Sequence, residues 1–378
     1  MTRLVLSNGR IVLGNEVIQG SLVAEGGKIT AIDDGPSAKF DDLGGDYLIP
    51  GLVELHTDHL ESHFHPRPGV EWPAASAVIS HDAQIAAAGI TTVFDALRAG
   101  SFDPGDLSAH NGERLAAAIH GSQATGQLRA EHYIHLRCEL PCEDTVAAMA
   151  RIISAGDIRL ISVMDHTPGY RQFVSIEKFK DYYLGKKLIL PEKIDAYIAD
   201  KLELQRRHAA RNKADILEVV KSSGIRLASH DDATPSHVDE AVADGVVIAE
   251  FPTTAASAKA AHDSDLAVLM GAPNIVRGSS HSGNISACEV AAAGHLDILS
   301  SDYVPASLLL AAFALPEKVS TITLSQAIGF VSSRPAAAAG LDDRGEIALG
   351  LRADLVQVSV STGHPVVRRV WRAGVRVL

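Results

Sequence analysis

The sequence predicts an α/β protein: a (β/α)8 TIM-like barrel with a small β-sandwich domain built from both termini. Three observations carry this expectation. Both ends of the chain read as short alternating strands joined by glycine turns. The middle alternates apolar runs with helical patterns, which is the signature of βα units and a parallel sheet. Polar residues recur where those apolar runs end, the place where such barrels carry their chemistry. The 378 residues suffice for one large barrel and a small appended domain, and a 46% hydrophobic content supplies a large core. The expected division is 1–48 plus 346–378 for the small domain and 49–345 for the barrel.

At the N-terminus, LVLSNGRIVLG contains Asn8-Gly9, a hairpin turn signal, and SLVAEGGKITAI places Gly26-Gly27 between two alternating runs. The C-terminal segments ADLVQVSVS and VVRRVWRAGVRVL repeat the pattern, with Gly374 in the turn. These terminal segments are expected to pair with one another. Between them lie eight strand candidates: residues 52–58, 90–95, 132–138, 159–165, 225–229, 246–251, 274–278 and 296–301. The connection from His166 to His230 is long. Its stretch from Leu188 to Ser222 reads as helical, with Pro191 near a helix start. It fits either a lid or subunit arm, or an enlarged outer helix.

Charge and composition exclude several classes. Lys and Arg total 34 against 46 Asp and Glu, a net charge of −12, which argues against nucleic acid or an acidic membrane as partner. A small anionic substrate needs only a local basic pocket and stays open. There is no apolar run of about 18 residues, and the N-terminus alternates like a strand without a signal-peptide core. Three cysteines, Cys138, Cys142 and Cys288, are too few and too oddly placed for a disulfide framework. A cytoplasmic protein is expected, with Cys138 and Cys142 structural. A homo-oligomer is compatible with this composition.

The stretch from Ile49 to Trp72 organises the chain. His56 and Asp58 stand two apart at a strand end, so imidazole and carboxylate face one side. Four histidines, His56, His59, His63 and His65, fall within ten residues, more than a solvated surface needs. Other strand ends carry Glu139, then Asp165-His166, then His230-Asp231-Asp232, then Asp302. Any one of these is more often a cap or a hydrogen-bonded loop residue. Five coinciding ends are costly to bury unpaired, and a shared metal centre resolves that cost. Metal-linked hydrolysis is the chemistry these residues indicate.

IPGLVELHTD followed by AAGITTV, together with ADLVQVSV and the closing VWRAGVRV, resembles the amidohydrolase superfamily over essentially the whole chain. HTDHLESHFHPRPGVEWP, HLRCE, MDHTPGYRQF, LASHDDAT, AEFPTT, NIVRGSSHSGN and LSSDYVP more narrowly resemble the PhnM family of phosphonate metabolism, in the carbon–phosphorus lyase pathway. That resemblance implies hydrolysis of α-D-ribose 1-methylphosphonate 5-triphosphate to the 5-phosphate and pyrophosphate. It implies two divalent metal ions, zinc by preference with manganese or iron also fitting. His56, Asp58, Glu139, His166, His230 and Asp302 would be the ligands, with Glu139 bridging and Asp302 and His230 catalytic. Asp302 would take the proton of the attacking water. His59 departs from the family pattern, which has Asn there, and is expected to add a ligand or alter a substrate contact.

An anionic substrate requires donors. Arg67 and Arg171 follow ligand-bearing strands, and Arg277 precedes a Gly/Ser-rich loop that includes His281, Ser282 and Gly283. Bidentate arginines and loop N–H groups suit phosphate oxygens; a surface salt bridge is the alternative for each arginine. Lys186-Lys187 read as solvated. Two other functions remain at this point: a deaminase of a purine-like ring or a deacetylase of a sugar amide, and a non-catalytic binding module.

Overall fold

The computed structural model describes residues 3–35, 41–102, 111–172, 175–185, 189–279, 284–360 and 363–378. Strands β1 (Arg3–Val12), β2 (Val17–Glu25), β3 (Lys28–Asp34), β4 (Asp41–Asp42) and β5 (Tyr47–Pro50) come from the N-terminus. Strands β14 (Leu355–Ser359), β15 (Val366–Arg372) and β16 (Val375–Arg376) come from the C-terminus. They form one sheet in the order β16-β15-β14-β5-β1-β2-β3, with β4 beside β1. The two ends of the chain join where β14 runs antiparallel to β5. Inward residues of this sheet, among them Leu6, Ile11, Leu22, Leu48, Leu355 and Trp371, pack into its core.

Gly26 and Gly27 have φ of 60° and 83° and make the β2–β3 turn, as expected of a two-residue hairpin loop. Asn8-Gly9 does not turn the chain. It lies inside β1 as a bulge, where the pairing with β2 shifts between Leu6 and Gly9. Asn8 has φ of 57°, so the same tolerance of the left-handed region serves a bulge instead of a turn. A Cβ on Gly9 would lie 2.6 Å from the Leu43 side chain, and Asn8 Nδ2 donates to Asp42 Oδ1 at 3.0 Å.

The eight central strands are β6 (Leu52–Thr57), β7 (Ile90–Ala99), β8 (Glu131–Glu139), β9 (Ile158–Met164), β10 (Arg226–His230), β11 (Ile248–Glu250), β12 (Ala267–Gly271) and β13 (Ile298–Ser300). They follow one another in sequence order in one sheet, parallel at β6–β7, β8–β9, β9–β10, β10–β11 and β11–β12. β13 meets β6 through a parallel bridge between Thr57 and Asp302. This is the expected (β/α)8 architecture. β6 is buried along its whole length, its polar residues Glu54, His56 and Thr57 included.

The seventh strand requires a correction. It is Ala267–Gly271, not residues 274–278, which are the end of the helix Ala272–Arg277 and the glycine that caps it. Pro273 stands in that helix's first turn, and Gly278, at φ of 85°, ends it in the left-handed region. The β-branched pair Ile275-Val276 mimics a strand, but its flanking residues are helix punctuation.

The chain divides into two compact units: Met1–Asp95, Gly121–Tyr133 and Met270–Leu378 in the first, Ala96–His120 and Ile134–Leu269 in the second. The first holds the terminal sheet, β6 and β13. The second holds β9, β10, β11 and the 30-residue helix Ile194–Ser223. That helix follows a 3-10 turn at Pro191–Lys193 and stops at Gly224, at φ of 71°. Ile194 and Ile198 pack against Phe179, and Asn212 Nδ2 donates to the carbonyls of Leu140 and Cys142 at 2.8 and 2.7 Å. Within the long connection, the helix Ile194–Ser223 is therefore docked and braces the loop after β8. Among the described residues, no helix is long and apolar enough to cross a membrane.

Candidate active site

In the second unit, consecutive strand ends converge their polar residues. Glu139 closes β8, His166 follows β9, His230 closes β10 with Asp231 after it, and Glu250 closes β11. Glu139 accepts the backbone N–H of His166 at 2.9 Å through Oε1 and lies 2.5 Å from His166 Nδ1 through Oε2. His230 Nδ1 lies 3.2 Å from Glu250 Oε2. Each carboxylate holds the Nδ1 side of its histidine, which is the usual device for presenting Nε2 to a metal. The two Nε2 atoms lie 3.8 and 3.6 Å from Asp231 Oδ2.

That oxygen is buried and has no hydrogen-bond partner. His166, His230 and Asp231 offer ligand atoms all within 4.8 Å of one another. A divalent ion with bonds of about 2.0–2.2 Å holds neighbouring ligands about 3–3.5 Å apart, so this donor set fits one after a small contraction. Burial pushes Asp231 up to about 6, a cost that a cation would offset. Burial also raises Glu139, but the His166 ring outweighs it and holds the carboxyl near about 2. Burial keeps His230 well below the ordinary imidazole range.

Within the first unit lie His56, Asp58 and Asp302. Asp302 N–H donates to the His56 carbonyl at 3.1 Å, Asp58 N–H to the Asp302 carbonyl at 3.3 Å, and Thr57 Oγ1 to that same carbonyl at 2.8 Å. Behind them sits Glu54, which shares a strand face with His56. Its carboxylate accepts Ser300 Oγ and the backbone N–H groups of His56 and Ser301, each at 2.6 Å. Burial raises Glu54 to about 7 against those hydrogen bonds. Asp231, Phe251 and Asp302, each just past a strand, have φ of 57°, 53° and 54°. Aspartate tolerates this region, whereas a phenylalanine there stores about 1–2 kcal/mol of strain. At the exits of β10, β11 and β13 the backbone thus enters the left-handed region.

Over 377 residues the chain is 46% identical to alpha-D-ribose 1-methylphosphonate 5-triphosphate diphosphatase of Escherichia coli (strain K12), spanning 99% of this chain and 100% of that protein. The chain belongs to that diphosphatase family. No family model matches it. Among solved structures it resembles an N-acetyl-D-glucosamine-6-phosphate deacetylase from Mycobacterium smegmatis, with a TM-score of 0.63, 17% identity and coverage of 99% and 100% of the two chains. It also resembles a 5-methylcytosine deaminase from Klebsiella pneumoniae, with a TM-score of 0.65, 15% identity and coverage of 99% and 98%. At such identities these two likenesses establish the fold alone, that of amidohydrolases.

The substrate-facing expectations for this diphosphatase family member fare unevenly. Arg171 ion-pairs with Asp232 and, at 3.1 Å, with Glu240, and its side chain is largely buried. Arg67 is exposed in the loop after the helix Leu60–Phe64, and Arg277 is exposed in the last turn of a helix, not after a strand. His281, Ser282 and Gly283 lie outside the described residues, as do Lys186 and Lys187. Cys138 and Cys142 are buried free thiols, pushed up by burial, Cys138 to about 12.

Sequence reasoning missed Glu54, Glu250 and Lys201 and gave Asp231 no role. The first two had a signal: a glutamate inside an apolar run, two before His56 or at a strand end, is a buried carboxylate needing a partner. Lys201 had none, because it looks like any charged residue of a long helix. It is 4% exposed, with Nζ 3.6 Å from the Phe102 ring centre and 4.8 Å from that of Tyr197. Burial lowers it to about 8, against the pull of Glu139.

Proposed function

We propose that this chain hydrolyses α-D-ribose 1-methylphosphonate 5-triphosphate to the 5-phosphate and pyrophosphate. The observation that carries the reading is 46% identity over the full length of a diphosphatase of that name. We assign the metal ligands to His56, Asp58, His166, His230 and Asp302, add Asp231, and give Glu139, expected as a bridging ligand, the supporting place behind His166, where both its oxygens are engaged. Support comes from the histidine–carboxylate pairs around Asp231 and from its buried, unpaired oxygen.

Two divalent ions, zinc by preference with manganese or iron compatible, would supply positive charge to the phosphoryl oxygens and bring a water's pKa toward about 7. The chain's own groups do the rest. Asp302 accepts the proton of the attacking water. Glu139 and Glu250 keep His166 and His230 in one tautomer. Arg171, aimed by Asp232 and Glu240, offers its remaining N–H groups to the triphosphate. Attack at the phosphorus next to the sugar breaks one P–O bond, and pyrophosphate leaves. Three free thiols suit a reducing compartment, and we place the protein in the cytoplasm.

Phosphorus NMR on metal-replete protein with this substrate in ¹⁸O-water tests the reading. The expected products are unlabelled pyrophosphate and a labelled sugar 5-phosphate. Label in pyrophosphate moves the attack to the next phosphorus. No turnover with metal bound removes the assignment.

A further inference from the structure

The helix Ile194–Ser223 does more than cover the barrel. Its buried residues Ile198, Lys201, Ala209, Asn212 and Ile216 recur at helical spacing and form one stripe, and the half-buried Gln205 falls on the same stripe. Three of these six residues are polar. Burying an amide or an ammonium is costly without partners, and the partners these three find are all at the hydrolytic centre of the second unit.

Asn212 Nδ2 donates to the carbonyls of Leu140 and Cys142 at 2.8 and 2.7 Å. Those carbonyls belong to the turn that leaves Glu139, and Cys142 N–H closes that turn on the Glu139 carbonyl at 3.2 Å. Gln205 Nε2 donates to Asp165 Oδ2 at 3.4 Å. The other oxygen of Asp165 accepts the N–H of Thr167 at 3.0 Å, so this carboxylate spans His166. Lys201 stands one helical turn before Gln205. Its Nζ packs against the rings of Phe102 and Tyr197, at 3.6 and 4.8 Å from their centres. Glu139, Cys142, Arg98 and Asp165 are the charged and titratable groups around it. Arg98, from β7, is a second cation beside Glu139. One helix face therefore ties down the turn after Glu139 and the turn around His166, and these are the two residues whose carboxylate and ring meet at 2.5 Å.

We propose that Lys201, Gln205 and Asn212 are positioning residues: acting through Glu139 and Asp165, they set where His166 presents its Nε2, so that docking of the long helix sets the affinity of the metal centre. The inference rests on His166 as a metal ligand. A functional group must be held to within about 0.5 Å of its productive place, and a turn at a strand end reaches that only when its backbone is tied to something rigid.

The test is equilibrium dialysis of chelator-stripped full-length protein against Zn²⁺ with elemental analysis, on variants whose fold is checked by circular dichroism. The zinc equivalent that His166→Asn loses is the one followed. Asn212→Leu, Gln205→Met and Lys201→Met keep side-chain size and remove the polar atoms. Each should bind that equivalent about tenfold more weakly than wild type, the lower end of what supporting groups contribute. Lys201→Met and Gln205→Met strand no carbonyl and carry the test if Asn212→Leu does not fold. Ile216→Ala is the control: it lies on the same stripe, is fully buried and loses packing alone. It should lower the Tm and keep the wild-type affinity. Asn212→Leu added to Glu139→Gln should cost no more than about twofold further, because both act on one ring. If His166→Asn leaves zinc binding unchanged, the ligand assignment itself has failed. If His166→Asn weakens it while the three polar variants bind as wild type does, or while Ile216→Ala weakens it as much as they do, the helix is structural only and this inference alone is overturned.

Discussion

Glu139 grips His166 twice: one carboxylate oxygen takes the backbone N–H at 2.9 Å, and the other lies 2.5 Å from the ring Nδ1. Strand β8 thereby fixes both the position and the tautomer of a residue that follows β9. Glu139→Gln keeps the size but replaces one accepting oxygen with a donor, which cannot face an Nδ1–H. We expect a 10–100-fold loss of metal affinity or activity, the range typical of such supporting groups. Elemental analysis alongside kcat measures it, and unchanged metal content with full turnover would relieve Glu139 of this role.

Asp302→Asn separates proton transfer from metal retention. The backbone ties of Asp302 to His56, Thr57 and Asp58 use main-chain atoms and survive the substitution. Turnover should fall by about 10²-fold or more, the usual worth of a general base, while most bound metal stays. Activity at the wild-type level would take Asp302 out of the mechanism.

Much of this architecture is legible in the sequence, because β6 and its neighbours are apolar runs ending in polar residues and because both termini carry period-two patterns. The failures are informative. Ile275-Val276 look like a strand only when Pro273 and Gly278 are ignored, and Asn8-Gly9 looks like a turn because a bulge needs the same backbone freedom. Lys201 and Asn212 could not be found, since their burial depends on where a 30-residue helix docks and no local pattern reports that.

Glu54 closes the barrel seam between β6 and β13 by accepting three hydrogen bonds. Glu54→Ala strands the N–H groups of His56 and Ser301 and the Ser300 hydroxyl in a buried site. At about 1–3 kcal/mol for each unsatisfied group, the loss should be roughly 3 kcal/mol or more. Urea unfolding midpoints measure it, with Glu54→Gln expected to lose less. A near-neutral Glu54→Ala would mean the seam is held elsewhere.

The buried pair of Asp95 and His132 sets a pH dependence. Burial by itself would lower His132, but Asp95 and Asp82 more than reverse this and raise it to about 9 from 6.5. A group whose folded value is raised stabilises fully below its unfolded value. That contribution therefore fades as pH climbs from 6.5 through about 9. Asp95 is held near about 2, so its contribution is present above 3.8 and fades as pH falls toward 2. Melting temperatures across the alkaline window should fall more steeply for wild type than for His132→Gln. Parallel slopes would assign the transition to another group.

Arg171 has two jobs that one double variant can separate. Its guanidinium neutralises Asp232, whose side chain is 1% exposed and whose pKa burial raises. Arg171→Ala leaves that carboxylate buried without its cation, with the Ser229 hydroxyl still donating to it, at a cost of about 3–5 kcal/mol. Asp232→Ser added to Arg171→Ala removes the orphaned charge and should restore most of the stability. It cannot restore a phosphate contact. KM for the triphosphate should therefore stay raised in the double variant while its Tm recovers toward wild type. If KM recovers with Tm, Arg171 acts only by holding the loop after β9 to the helix Pro235–Ala243, and triphosphate recognition belongs to other donors.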